Sequence, residues 1–158
     1  MAKRLTYIVS AVLLLCSCES EYQSSLADQE GYIESYISSN YGDCEVTLNE
    51  GVSRVTLSQG YGLPAEEGDR LTVHCVGYTF GSSGPQSKFT ELELTFTLGE
   101  DDIIEGLEKG LTGVSCGETC LVLFSARYGY GNSAVGVVPE ATALAFTLQV
   151  KSIVKAQN

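Results

Sequence analysis

The sequence predicts an α+β fold, an antiparallel, half-wrapped β-sheet with one short α-helix packed on it. Three observations carry this expectation. Short stretches alternate apolar and polar residues with period two, as Leu71, Val73, Cys75 and Gly77 do against Arg70, Thr72, His74 and Val76. A single stretch of the domain, Asp101 to Gly110, carries a strong helical pattern. No strand–helix–strand repeat is present, so a parallel sheet has no crossovers to build from.

The elements follow in order. Lys3 and Arg4 precede an apolar run from Leu5 to Leu15. The run is shorter than the roughly 20 apolar residues a membrane span needs. A charged start, a short apolar stretch and small residues after it make an export signal. Leu15-Cys16-Ser17-Cys18 looks like a lipobox, with an aliphatic residue three before Cys18 and a small one just before it. Cys16 follows the bulky Leu15 directly, so Cys18 is the expected lipidation site; an ordinary secretory signal cut elsewhere is the alternative. Residues 1–17 are thus read as a lipoprotein signal peptide, 18–43 as an acidic tether and short helix, and 44–158 as the folded domain. Glu19 to Asp28 reads as the tether. Leu26, Ile33, Tyr36 and Ile37 recur at helical spacing and predict a helix over 26–39, interrupted in character by Gly31.

From Cys44 the pattern changes to strands. Val46, Leu48, Val52, Val55 and Leu57 lie in short β-branched stretches. Gly60-Tyr61-Gly62 with Pro64, and then Gly68-Asp69, mark turns. Gly81-Ser82-Ser83-Gly84-Pro85 predicts a flexible loop, and Leu92, Leu94, Phe96 and Leu98 a further strand. In the 101–110 helix, Asp102 stands three residues before Glu105 in a capping-box-like start, and Gly110 suits its C-terminal cap. Leu121 to Phe124 is a strand, Tyr128 to Pro139 a glycine-rich loop, and Leu144, Phe146, Leu148 and Val150 a last strand.

Charge and cysteines narrow the functions. The formal net charge is −11, and loss of Lys3 and Arg4 with the signal makes it −13. Such a surface repels phosphates, which argues against nucleic-acid binding. Four cysteines follow Cys18, namely Cys44, Cys75, Cys116 and Cys120, and an exported chain permits disulfides. Three pairings exist. A Cys116–Cys120 bridge with Cys44–Cys75 is one arrangement, and buried free thiols are the alternative. With His74 the single histidine, a Cys/His metal site has little to build from, so no metal is expected.

Several stretches together resemble the FKBP immunophilin family. Ser58-Gln59-Gly60-Tyr61-Gly62 is similar to its Gly-x-Gly turn, and Gly68-Asp69-Arg70-Leu71-Thr72-Val73-His74 to its GD-x-V-x-VHY strand. Phe96-Thr97-Leu98-Gly99 followed by Ile103-Ile104-Glu105-Gly106-Leu107-Glu108-Lys109-Gly110 resembles F-x-LG…VI-x-GW-x-x-G. Tyr128-Gly129-Tyr130-Gly131 resembles YAYG, and Val137-Val138-Pro139 with Ala143-Leu144-Ala145-Phe146 resembles IIPP…LVF. The matches run in order from Val52 to Val154.

The resemblance implies an FKBP-like sheet half-wrapped around its helix, a pocket between the two, and peptidyl-prolyl cis-trans isomerisation without cofactor, metal or covalent intermediate. It implies that Ile103 and Ile104 line the pocket, with the Ile104 amide binding a substrate carbonyl. Tyr130 matches the tyrosine whose hydroxyl reaches the ligand, and Phe146 the wall phenylalanine. Leu107 takes the place of the floor tryptophan, and Val137 and Val138 that of the aliphatic loop pair. Tyr130 and Ile104 are therefore the candidate catalytic residues. Cys75 stands where the family has tyrosine, and Leu94 where it often has phenylalanine. The family's Phe-Asp pair would fall near Pro85–Gln86 and is not recognisable there, and no catalytic aspartate carries over. Phe89 is the nearest aromatic that could refill the wall. His74 is set aside because it precedes a pocket-facing strand residue and so points to the other sheet face.

The expected activity is prolyl isomerisation of exported, proline-containing polypeptides, slowed by the altered pocket, in a monomer lipid-anchored in a bacterial cell envelope. The competing readings are a non-catalytic peptide-binding or chaperone module on the same scaffold, and a structural surface lipoprotein.

Overall fold

The computed structural model describes residues 2–157, with side chains from residue 21 onward. Six strands form one sheet: β1 (Glu45–Asn49), β2 (Val52–Ser58), β3 (Arg70–Gly81), β4 (Gly84–Thr97), β5 (Thr119–Phe124) and β6 (Ala143–Val154). Their spatial order is β1-β2-β5-β6-β3-β4, and every neighbouring pair is antiparallel. Helix α1 spans Ala2–Asn40, helix α2 spans Glu105–Leu111, and a 3-10 turn, η1, spans Ala126–Tyr128.

The sheet is covered on both faces. On one, Val73, Cys75, Val122, Phe124, Phe146 and Leu148 pack with Leu107 and Leu111 of α2. On the other, Val55, Phe80, Leu121, Leu123, Ala143 and Ala145 pack with Ile33 and Ile37 of α1. This explains why Cys120–Phe124 and Ala143–Phe146 are continuous apolar runs rather than alternating ones.

Helix α1 differs from the expectation at its start. It begins far upstream of Leu26, and Glu19 to Asp28, the stretch read as a tether, are part of the helix. The stretch is polar, yet it holds no proline or glycine to stop a helix. Gly31 faces open space and costs about 0.5–1 kcal/mol. Burial of Ile33 and Ile37 contributes ~1.5–3 kcal/mol each, so the helix continues through it. The side chains of Cys16 and Cys18 lie outside those described. Among the described residues no helix is long and apolar enough to cross a membrane.

Three further expectations are corrected. The 81–85 segment is a tight two-residue turn, Ser82-Ser83, with Gly81 paired to Gly84. Gly84 has φ 110°, and Tyr36 of α1 lies against it. Helix α2 starts at Glu105, and Ile104 caps it without a side-chain bond. Asp102 therefore forms no capping box, and Asp101 turns back to accept the Thr97 amide at 2.6 Å. Gly110 lies inside α2, and the left-handed residue beyond the helix is Gly113, φ 82°. Of the two readings left open for the cysteines the structure has the free thiols: Cys44, Cys75, Cys116 and Cys120 are all unbridged, with Cys75 and Cys120 buried.

The C-terminal end of α2 is held by the β1–β2 hairpin. Asn49 Nδ2 donates to the Lys109 carbonyl at 3.0 Å, and Arg54 Nη1 donates to the Gly110 and Thr112 carbonyls at 3.1 and 2.7 Å. The helix lies close on β5 because Gly106 and Gly110 face Phe124 and Val122; a Cβ at Gly110 would stand 2.4 Å from Val122 Cγ1.

That contact predicts the sign of one substitution. Alanine in place of glycine favours the helix by ~1 kcal/mol, but overpacking a tight contact costs ~1–3 kcal/mol. Gly110→Ala should therefore lower the free energy of urea unfolding, and adding Val122→Ala should make the Gly110→Ala change less costly than in wild type.

Candidate functional site

Strand alternation sends Cys75 of β3, Leu94 of β4 and Phe146 of β6 to the α2 face. The chain between β4 and α2 brings Ile103 and Ile104 to the same place, and α2 adds Leu107. Together with Tyr130, Val137 and Val138 these residues line a cleft of about 430 Å³, within the usual range of small-ligand sites. All nine pocket residues named from the sequence meet here.

The cleft has a graded lining. Cys75, Leu107, Val138 and Phe146 are buried, whereas Leu94, Ile103, Ile104 and Tyr130 are half-buried at its sides. Val135 and Val138 exchange backbone hydrogen bonds at 3.0 Å, which places Val137 at the tip of a turn, 78% exposed. Val137 is thus a lip of the cleft and Val138 a wall.

Phe89 supplies the missing aromatic side through a bulge. Gly77 pairs with Thr90 and Tyr78 with Lys88, so Phe89 is the unpaired extra residue. The bulge turns it inward to Phe146, with ring centres 5.6 Å apart at 85°, and to Tyr130, at 6.5 Å and 70°. Phe124 stacks behind Phe146 at 5.8 Å. Gly77 makes this possible, since a Cβ there would lie 2.6 Å from Phe146 and 2.8 Å from Phe89. Pro85 pairs with Phe80 near the hairpin turn, and neither it nor Gln86 lines the cleft. Sequence reasoning missed Asp102, Thr90, Leu92 and Val135 as lining residues. Leu92 was legible as sharing the face of Leu94, while Val135 and Asp102 enter through loop geometry that carries no pattern.

The cleft carries little charge. Asp102 is its single lining carboxylate among the described residues, at the exposed rim. Burial raises the Tyr130 hydroxyl, with nearby Cys75 adding to the shift, so it remains a protonated donor. Burial pushes the Cys75 thiol up to about 11. The Ile104 amide donates to no backbone carbonyl among the described residues, while its carbonyl accepts from Leu107 and Glu108. His74 is on the opposite side of β3, its Nε2 3.7 Å from Glu91 Oε1. Among the described residues no cluster of metal ligands occurs.

An antiparallel sheet wrapped on a short helix, with an apolar cleft where they meet, defines the FKBP-like class of fold. The profile of the FKBP-type peptidyl-prolyl cis-trans isomerases matches residues 62–151, and the chain belongs to that family. FK506-binding protein 1 of Aspergillus oryzae is 26% identical over 114 residues, which cover 65% of this chain and 98% of that protein. Peptidyl-prolyl cis-trans isomerase FKBP12 of Vicia faba is 32% identical over 110 residues, covering 63% and 96%. The FK506-binding protein of Neisseria meningitidis serogroup B is 29% identical over 99 residues, covering 61% and 91%. Two solved structures share the fold with TM-scores of 0.64. The N-terminal domain of FKBP42 from Arabidopsis thaliana is 22% identical and covers 70% of this chain and 93% of that one. FkpA from Escherichia coli is 19% identical and covers 98% and 72%.

The burial of Cys75 and Cys120 has a direct chemical check. At pH 8 a thiol titrating near 11 is ionised to about one part in a thousand. Cys120 is pushed up to about 12, mainly by burial. Alkylation of the folded protein at pH 8 should mark the half-buried Cys44 and Cys116 first and leave Cys75 and Cys120 unmodified, read by peptide mass spectrometry.

Proposed function

We propose that this chain is a peptidyl-prolyl cis-trans isomerase acting on exported, proline-containing polypeptides, slowed by its altered pocket and held at a bacterial membrane by lipid on Cys18. The observation that carries the reading is the open cleft itself, apolar on its floor and walls, with a tyrosine hydroxyl and, among the described residues, an amide bonded to no backbone carbonyl at its sides.

The chemistry asks for no nucleophile. The barrier to amide rotation is ~18–20 kcal/mol, and a twisted amide has less charge separation than a planar one. A water-free apolar surface therefore favours the twisted form over the planar one. The prolyl ring sits on Leu107 and against Phe146 and Phe89. The Ile104 N–H takes a substrate carbonyl and holds one side of the rotating bond. The Tyr130 hydroxyl donates to the other polar atoms of the peptide as it turns. Only bonds strengthened in the twisted state raise the rate.

In a protease-coupled assay with a proline peptide, the protein should accelerate isomerisation above background. Tyr130→Phe should lower kcat/KM about threefold to tenfold, the equivalent of one hydrogen bond of ~0.5–1.5 kcal/mol. Background rates for both proteins would remove the enzyme reading.

A second reading is a peptide-binding module without catalysis. It is favoured by Cys75, Leu94 and Leu107 standing where the family carries aromatics, and by a cleft whose lining acid is Asp102 at the rim. Measurable affinity for the same peptide with no rate effect selects it. The anchor has its own test: the N-terminal peptide of the cell-derived protein should begin at Cys18 and carry acyl mass, and Cys18→Ala should abolish that mass.

A further inference from the structure

The stripe of α1 that faces the domain is Leu26, Gln29, Ile33 and Ile37. Gln29 is a polar residue at a core position, 3% exposed. Burying a primary amide is costly unless both its ends are bonded, and both are. Its Oε1 accepts the Ala126 N–H at 2.8 Å, and its Nε2 donates to the Ala141 carbonyl at 2.8 Å and to Ser25 Oγ at 3.2 Å.

Ala126 and Ala141 are the two ends of the loop that carries Tyr130, Val137 and Val138. The loop base closes on itself as well: Gly131 N–H donates to the Ala126 carbonyl at 2.8 Å, and Ala141 N–H to the Gly131 carbonyl at 2.9 Å. With Gln29 these bonds form a closed ring, Gln29 to Ala141 to Gly131 to Ala126 and back to Gln29. Gly131 follows Tyr130 directly, so the ring fixes the backbone that aims the tyrosine. Ala141 has φ 49°, a left-handed conformation costly for alanine that its surroundings must hold in place. Leu26 is buried one turn earlier on the same stripe, and Arg127 Nε lies 3.9 Å from Glu30 Oε1 beside the ring.

We infer that Gln29 is a positioning residue for the prolyl cleft: through a ring of four hydrogen bonds, α1 sets the loop that presents Tyr130. Helix α1 lies outside the segment matched by the family profile. The catalytic part of the inference rests on the isomerase reading; the structural part does not.

Gln29→Met keeps the shape and removes both bonds, and Gln29→Glu keeps the acceptor and loses the donor when ionised. By amide hydrogen exchange, Gly131 and Ala141 should exchange at least tenfold faster in Gln29→Met, relative to Val122 and Leu148 in the same sample. Gln29→Glu, when ionised, sets a buried carboxylate oxygen against the Ala141 carbonyl, so its exchange at both sites should be at least as fast as in Gln29→Met, and it serves alone should the methionine variant not fold. In the isomerase assay kcat should drop threefold or more with a smaller change in KM. In a Tyr130→Phe background the same substitution should have little further effect on kcat, because the two act as a unit. A rise in exchange at Gly131 and Ala141, from wild type to Gln29→Met, no larger than the rise at Val122 overturns the inference. A full kcat loss that persists in the Tyr130→Phe background overturns its route through Tyr130. An inactive wild type refutes the isomerase reading instead, and exchange then decides the ring by itself.

Discussion

The structure depends on central strands that are buried on both faces. Strands β5 and β6 alternate residues between two helices, Val122, Phe124 and Phe146 toward α2 and Leu121, Leu123 and Ala145 toward α1. Helix α2 is seven residues long, too short to be stable alone, and its geometry is set by what it rests on. Gly106 and Gly110 let its axis approach β5, and Asn49 and Arg54 bond its last carbonyls. Leu107 therefore lies at a fixed depth, and the floor of the cleft follows from the seating of the helix rather than from the size of one side chain.

Most of the sheet was legible from alternation, because one buried face imposes period two. Strands β5 and β6 have two buried faces, so their runs mark burial without saying what covers the second side. The helix on that side was legible in its C-terminal half, where Leu26, Ile33 and Ile37 keep helical spacing. Its polar half was not, because polarity reads equally as tether or as helix. The start of α2 misled through Asp102 and Glu105: Asp101 and Asp102 lie in a bent, non-helical approach that delivers Ile103 and Ile104 to the cleft, and a capping box would have needed that approach wound into helix.

The residues that line the cleft were legible through resemblance, and the way they pack together was not. Phe89 reaches the cleft only through a bulge, a one-residue irregularity that reverses its side of the strand. Nothing in the alternation of β4 announces it. The signal lay instead in Gly77 on the neighbouring strand, a residue without a side chain at a position of the cleft-facing series. Gln29 offered a comparable signal, a polar residue in an otherwise apolar helical stripe.

The cleft exchanges one kind of support for another. Where the family carries aromatic bulk, this chain has Cys75, Leu94 and Leu107, and it recovers part of the wall through Phe89 packed edge-on to Phe146. The apolar character needed to favour a twisted amide is kept, since leucine and a protonated thiol exclude water as well as tyrosine or tryptophan do. What is reduced is the rigid, flat contact area the cleft could offer a ligand ring. On the proposed isomerase reading, the polar contribution then falls on two groups, the Ile104 amide and the Tyr130 hydroxyl. The first is fixed by the start of α2. The second sits on a loop with little regular structure, so its value depends on how firmly that loop is held, and the bonds at the loop's two ends matter more here than they would in a cleft lined by aromatics.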